Sequence, residues 1–305
     1  LDTKPIIRNR NLQVEHNKHI HIWNIVLMIL ILTTSLAATA QSPHSKPSLT
    51  VKAKDGVSIA YETYGKSATA IVFVHGWSCD RSYWKGQMEY FSKDYKVVAI
   101  DLGGHGESGL GRKDWTIYSF GNDVAEVIKE LKLERIVLVG HSMGGDVIAD
   151  AAMLLPGRVA GLIMVDVYKK LGAGRPTEQI EEFVNGLSTD FPVKVESLVR
   201  SMFRPDADPS LVQYVAKDMS SAPPAVALSA AKSSFTHSRQ ITHDFEHLKL
   251  PVIAINPDNE PTDVESMRSH GVDVIIMPRS GHFLMMEDPK RFNEILDTAV
   301  KTIIK

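Results

Sequence analysis

Hydrophobic and polar positions alternate along this chain in two distinct rhythms. In "SLTVKAKDGVSIAYETYG" (48–65) two runs of alternating character flank Asp55-Gly56, a turn dipeptide, which predicts a β-hairpin. Four continuous apolar runs follow: "AIVFVHG" (70–76), "YKVVAID" (95–101), "RIVLVG" (135–140) and "VAGLIMVD" (159–166). Each is short and closes on Gly or Asp, as strands buried on both faces do. Between them the spacing changes. Ile117, Phe120, Val124, Val127, Ile128 and Leu131 recur at helical intervals, and "MGGDVIADAAMLL" (143–155) reads as a helix closed by Pro156-Gly157.

Strands alternating with helices imply βαβ units and a mostly parallel sheet with helices on both faces. The alternation stops at Asp166. Residues 168–250 carry helical patches punctuated by "RPDADP" and "SSAPPA", with no convincing strand. The strand rhythm resumes at "PVIAIN" (251–256) and "VDVIIMP" (272–278). Asp288-Pro289, an N-cap residue before a first-turn proline, opens a last helix. The organisation predicted is therefore an α/β core over 41–167 and 251–305. A helical cap over 168–250 is inserted where the strands end, in the position of a lid.

The first forty residues are of another kind. Lys4, Arg8, Arg10 and Lys18 lie in a polar lead, followed by the apolar run "IVLMILIL" and the small residues "TTSLAATA". Ala38-Thr39-Ala40 fits the small-x-small pattern of signal-peptidase sites, so residues 1–40 are expected to be a signal peptide cleaved after Ala40. The apolar stretch of about 14–16 residues is short of the roughly 20 that span a bilayer, so no stable membrane span is expected after cleavage. The expected destination is periplasmic or secreted. A net charge of −2 gives no electrostatic reason for a nucleic-acid partner. Cys79 is the only cysteine, so an exported chain would have no internal disulfide; the thiol reads as structural.

Ligands of open α/β sheets bind beyond the carboxyl ends of the strands. The residues found there are His75-Gly76-Trp77, Asp101, "GHSMGG" (140–145), Asp166, the acids of "NPDNEPTD" (256–263), and Ser280-Gly281-His282. A serine held between strand and helix needs small neighbours two positions away on each side. Gly140 and Gly144 supply them around Ser142. Serine also needs a base. His282, in a short loop after the last strand, is the candidate. His141 is turned away by the elbow, His105 lies in a Gly-rich turn, and His75 is placed to brace the turn it opens. The amides of Met143 and Trp77 are the expected oxyanion donors.

With these pieces in order, the chain resembles the α/β-hydrolase family of esterases and lipases. The motifs "HGW", "DLGGHGES", "GHSMGG" and "GHF" carry the likeness across nearly all of residues 50–300. The resemblance implies an eight-stranded, mostly parallel sheet with the cap after the sixth strand. It also implies a Ser–acid–His triad with Ser142 and His282. The serine argues against the family branches whose nucleophile is aspartate.

The acid is left three ways open. The family usually places it after the seventh strand, often as Gly-x-x-Asp; here Pro257 replaces the Gly and Glu260 stands at the acid position. Asp258 is an alternative if Pro257 rearranges the turn, and Asp166 marks the family's other location. Asp263 reads instead as a helix N-cap.

A competing motif, "HDFEH" (243–247), has the H-x-x-E-H form of inverted zinc peptidases, with His243 and His247 one helical turn apart. It lies in a short link to a strand, where surface histidines are the plainer reading. The expected function is an exported carboxylic-ester hydrolase acting on a small-molecule ester, without metal or organic cofactor. Lactone hydrolysis, acyl transfer and C–C bond cleavage stay open within the fold, as does a non-catalytic binding protein. Phe183, Phe191, Met202, Phe203, Met219 and Phe235 either line an apolar pocket or pack the cap.

Overall fold

The computed structural model describes residues 48–172 and 174–305. The expected signal peptide and the first residues after it lie outside the described residues.

The predicted hairpin is β1 (Leu49–Lys52) and β2 (Ser58–Tyr64), paired antiparallel. Gly56 takes the left-handed φ of +87° that the turn requires. β2 pairs antiparallel with β4 (Lys96–Ile100), and all other pairings are parallel. The sheet has eight strands in the order β1-β2-β4-β3-β5-β6-β7-β8. Its remaining members are β3 (Thr69–Val74), β5 (Arg135–His141), β6 (Val159–Val165), β7 (Val252–Pro257) and β8 (Val272–Met277).

Helices cover both faces because the central strands are apolar at every position. Alternate residues serve opposite layers. Val72, Val98, Leu138 and Leu162 pack under the helices at 117–130 and 143–153, whereas Phe73, Ala99, Val139 and Ile163 pack toward the helix at 289–304. We label these helices α2 (Ile117–Glu130), α3 (Met143–Met153) and α11 (Pro289–Ile304), with α1 at Lys85–Phe91. Asp288 caps α11 by accepting from the Arg291 amide at 3.0 Å.

From β3 the chain crosses to β4 on one side and then to β5 on the other. The order therefore reverses between β3 and β5, and a crevice opens beyond their carboxyl ends. Both the His75-Gly76-Trp77 turn and Ser142 emerge there.

Between β6 and β7 stand five helices: α4 (Thr177–Ser188), α5 (Phe191–Ser201), α6 (Pro209–Ser220), α7 (Pro224–His237) and α8 (Ile241–Leu248). They are bonded to the core at several points. Trp77 Nε1 donates to the Ala227 carbonyl at 2.7 Å, Tyr83 donates to Asp218 at 2.7 Å, and the Ile117 amide donates to Ser233 at 2.9 Å. After β7 follow α9 (Val264–Ser269), capped by Asp263 as expected, and after β8 the short α10 (Leu284–Glu287). No described helix is long and apolar enough to cross a membrane.

Candidate active site

The turn from β5 into α3 is as tight as its glycines suggest. A Cβ on Gly140 would lie 2.2 Å from the Gly144 carbonyl oxygen, and one on Gly144 would lie 2.5 Å from that of Val74. Neither position admits a side chain. The strain falls on Ser142, which adopts φ +51°, ψ −122° as the cap residue of α3. Its amide is fixed by the Val165 carbonyl at 2.9 Å, so β6 holds the elbow from the side.

The turn after β3 presses against this elbow. A Cβ on Gly76 would meet Ser142 Cβ at 3.2 Å and His141 Nδ1 at 2.9 Å. His75 holds that turn from within, accepting from the Leu102 amide at 3.1 Å through Nε2 and donating to Gly76 at 2.8 Å through Nδ1. Among the described residues, the Trp77 and Met143 amides have no acceptor, leaving two N–H groups beside Ser142.

His282 Nδ1 lies 2.7 Å from Asp166 Oδ2. Asp166 follows β6 directly, is 8% exposed, and takes a left-handed φ of +47°. Its amide donates to the Ile255 carbonyl at 3.0 Å. Its other oxygen is 2.8 Å from Lys169 Nζ. Burial pushes the Asp166 carboxyl upward, but the His282 contact and the Lys169 ammonium outweigh it and hold the group below the ordinary aspartate value.

Of the three carboxylates left open, Asp166 is the one in contact with His282. Glu260 stands exposed at the edge of the cavity and makes no hydrogen bond among the described residues. Asp258 accepts from the Arg279 amide at 2.8 Å and so ties the loop after β7 to the loop after β8. The reason lies in β7, which keeps its pairing through Pro257 (opposite Met277), so the turn starts later than the motif implies. Asn256 then ties that turn sideways, donating to the Tyr168 carbonyl at 2.8 Å and to Thr262 at 3.1 Å.

Three residues to which sequence reasoning gave no role in the site shape it. His141 donates through Nε2 to the His282 carbonyl at 2.8 Å, and its ring lies 4.6 Å from that of His282. Burial, reinforced by His282, lowers its pKa to about 3, so it is a neutral strut. Glu287 accepts from the Gly281 and Phe283 amides at 2.9 and 3.1 Å, gripping both sides of His282. Asp146, one turn along α3 from Ser142 and 3% exposed, accepts from Tyr168 and, at 2.6 Å, from Ser234. None of these links is visible along the sequence, because each joins elements far apart in the chain.

Ser142, Met143, Asp166 and His282 open into one cavity of about 540 Å³. Of the six apolar cap residues named above, Met202 and Phe235 line it, beside Leu198; Phe191, Phe203 and Met219 are buried in the packing of the cap, and Phe183 lies edge-on to Phe235. Much of the wall is polar, including Asp146, Tyr168, Lys169 and Ser234. His243 and His247 do not line it. They are exposed on α8 with rings 3.9 Å apart, and among the described residues no third His, Cys, Asp or Glu joins them in a ligand group.

Residues 71–295 match the alpha/beta hydrolase family. The chain belongs to that family. Family relatives include a non-heme chloroperoxidase of Streptomyces lividans, 33% identical over 46% of this chain and 55% of its own length. The bifunctional esterase/perhydrolase of Acinetobacter calcoaceticus is 40% identical over 32% of this chain and 37% of its own. The chain thus spans less than two thirds of the length of these relatives. A thermophilic esterase from Thermogutta terrifontis superposes with a TM-score of 0.73 at 23% identity, covering 85% of this chain and 99% of the esterase. The family fold is thereby shown over most of the chain.

Proposed function

We propose that this family member is a serine hydrolase that cleaves small carboxylic esters through an acyl-enzyme on Ser142. The observation that carries the reading is the 2.7 Å contact between His282 Nδ1 and Asp166, opening with Ser142 into one cavity. Asp166 holds the ring so that Nε2 is the free acceptor. Ser142 Oγ attacks the ester carbonyl as His282 Nε2 takes its proton. The Trp77 and Met143 amides receive the oxyanion, and such donors are worth roughly 3–4 kcal/mol each in comparable sites. His282 then protonates the leaving alcohol, and water, activated by the same ring, releases the acid. No metal or organic cofactor enters this scheme.

The polar wall favours a small substrate with polar substituents over a long acyl chain. A non-catalytic binding protein would have no use for a serine at φ +51° or for a buried Asp–His pair. Lactones share the same carbonyl chemistry and are the natural extension. We also propose export, on the strength of the basic lead, apolar run and Ala38-Thr39-Ala40 in the first forty residues. Turnover of 4-nitrophenyl acetate by the wild type and by Ser142→Ala tests the reading: equal rates in the two proteins would refute it.

A further inference from the structure

Asp166 is held by two partners, and only one of them belongs to the triad just described. Lys169, three residues on, places its Nζ 2.8 Å from Asp166 Oδ1 while His282 occupies Oδ2. This is not an ordinary surface pair. The Lys169 side chain is 25% exposed, its ammonium nitrogen is buried and meets Asp166 as an ion pair outside hydrogen-bond geometry, and it lines the catalytic cavity. Its backbone is pinned as well. The Lys169 carbonyl accepts from the Asp263 amide at 2.7 Å, and the preceding Tyr168 carbonyl accepts from Asn256 at 2.8 Å.

We propose that Lys169 is a positioning residue of the Asp166–His282 pair, drawing part of the carboxylate charge away from the imidazole and so setting the pH at which His282 begins to act as a base. The inference rests on the serine-hydrolase reading above. A carboxylate shared with an ammonium stabilises the imidazolium less than a free one, and the ammonium repels the imidazolium directly. Both effects favour the neutral ring, so the enzyme stays active further into acid.

The other groups around His282 do not supply this effect. His141, on β5, is neutral and bonds the backbone of His282. Asp146, on α3, is occupied by Tyr168 and Ser234. Glu287, on α10, spends both oxygens on backbone amides. Glu260 stands exposed at the cavity edge, Arg204 pairs with Asp206 at 3.0 Å, Arg279 meets Asp258 only through its backbone amide, and Arg175, which lines the same cavity, lies over the Phe235 ring at 4.4 Å. Lys169 is the cation in contact with the acid.

The test is the pH dependence of kcat/KM for a neutral 4-nitrophenyl ester in wild type, Lys169→Met and Lys169→Arg. With Met, the acid limb moves upward by about one pH unit, a tenfold loss of rate at the acid end. The readout is the position of the limb, whatever the height of the plateau, because Lys169 also lines the cavity. Arg restores the limb. Lys169→Gln removes the same charge while keeping a donor, carries the same expectation, and serves if the Met variant does not fold. A limb unmoved in the charge-removed variant, or a lowered plateau with the limb in place, overturns the proposal, since the lysine would then be only a prop. The two readings fail separately. If Ser142→Ala retains full turnover, the hydrolase mechanism is wrong. If Ser142→Ala and Asp166→Asn are both inactive while the limb stays fixed, only the role of Lys169 is wrong.

Discussion

Replacing Asp166 by Asn removes one charge and almost no volume, and the surroundings dictate how the new amide must turn. In the wild type one oxygen faces the Lys169 ammonium and the other faces His282 Nδ1. An ammonium accepts nothing, so the Asn carbonyl will turn toward Lys169 and the NH₂ toward His282. That NH₂ needs an acceptor, which forces Nδ1 to lose its proton and Nε2 to carry it. A ring protonated on Nε2 cannot take the Ser142 proton. The loss in kcat should therefore approach the about 10⁴-fold seen when a triad acid becomes its amide. That factor corresponds to about 5 kcal/mol of transition-state stabilisation. Stopped or initial-rate assays with 4-nitrophenyl acetate measure it, with Glu260→Gln and Asp258→Asn alongside. Both controls should stay within about threefold of wild type, since neither touches His282. A fall of less than tenfold in Asp166→Asn, or a large fall in Glu260→Gln, would refute the reasoning.

The same contacts carry two further predictions. Gly140→Ala drives a methyl against the Gly144 carbonyl and should destabilise the fold by about 3 kcal/mol or prevent soluble expression, read by urea unfolding. Asp150 sits half-buried on α3, and burial pushes its pKa up to about 6. Its folded pKa exceeds its unfolded one, so the neutral form is favoured and stability falls as pH rises from about 4 to about 6. Asp150→Asn should remove that pH dependence and stabilise the protein at pH 7 by about 1 kcal/mol, discounted for its partial exposure, as read from Tm against pH.

Where local pattern decides structure, the chain was readable in advance. The buried strands, the Asp55-Gly56 hairpin, the Gly140–Gly144 elbow and the caps at Asp263 and Asp288 all follow from spacing and residue type. The strandless stretch after Asp166 likewise turned out to be five helices. Which carboxylate meets His282 could not be read this way. Glu260 fits the motif by counting from the end of β7, but the count assumes where the strand stops, and β7 continues through Pro257. Asp166 carried a quieter signal, an aspartate ending a buried strand with a lysine three residues on. What orients it is a left-handed backbone and bonds to β7 and Lys169, which exist only after folding. Glu287 escaped notice, and His141 was set aside as a base without its bracing role being seen, for the same reason: both act on His282 through its backbone. The apolar residues of the cap were left between pocket lining and packing because an apolar side chain in a helix reads alike whether it faces a ligand or a neighbouring helix.

The central claim is that Ser142 is an activated nucleophile, and covalent labelling tests it most directly. A fluorophosphonate added to the folded protein should modify one site, located to the peptide containing Ser142 by mass spectrometry. Labelling should vanish in Ser142→Ala and slow strongly in Asp166→Asn. Folded wild-type protein that takes no label, or takes it equally well without Ser142, would contradict the account.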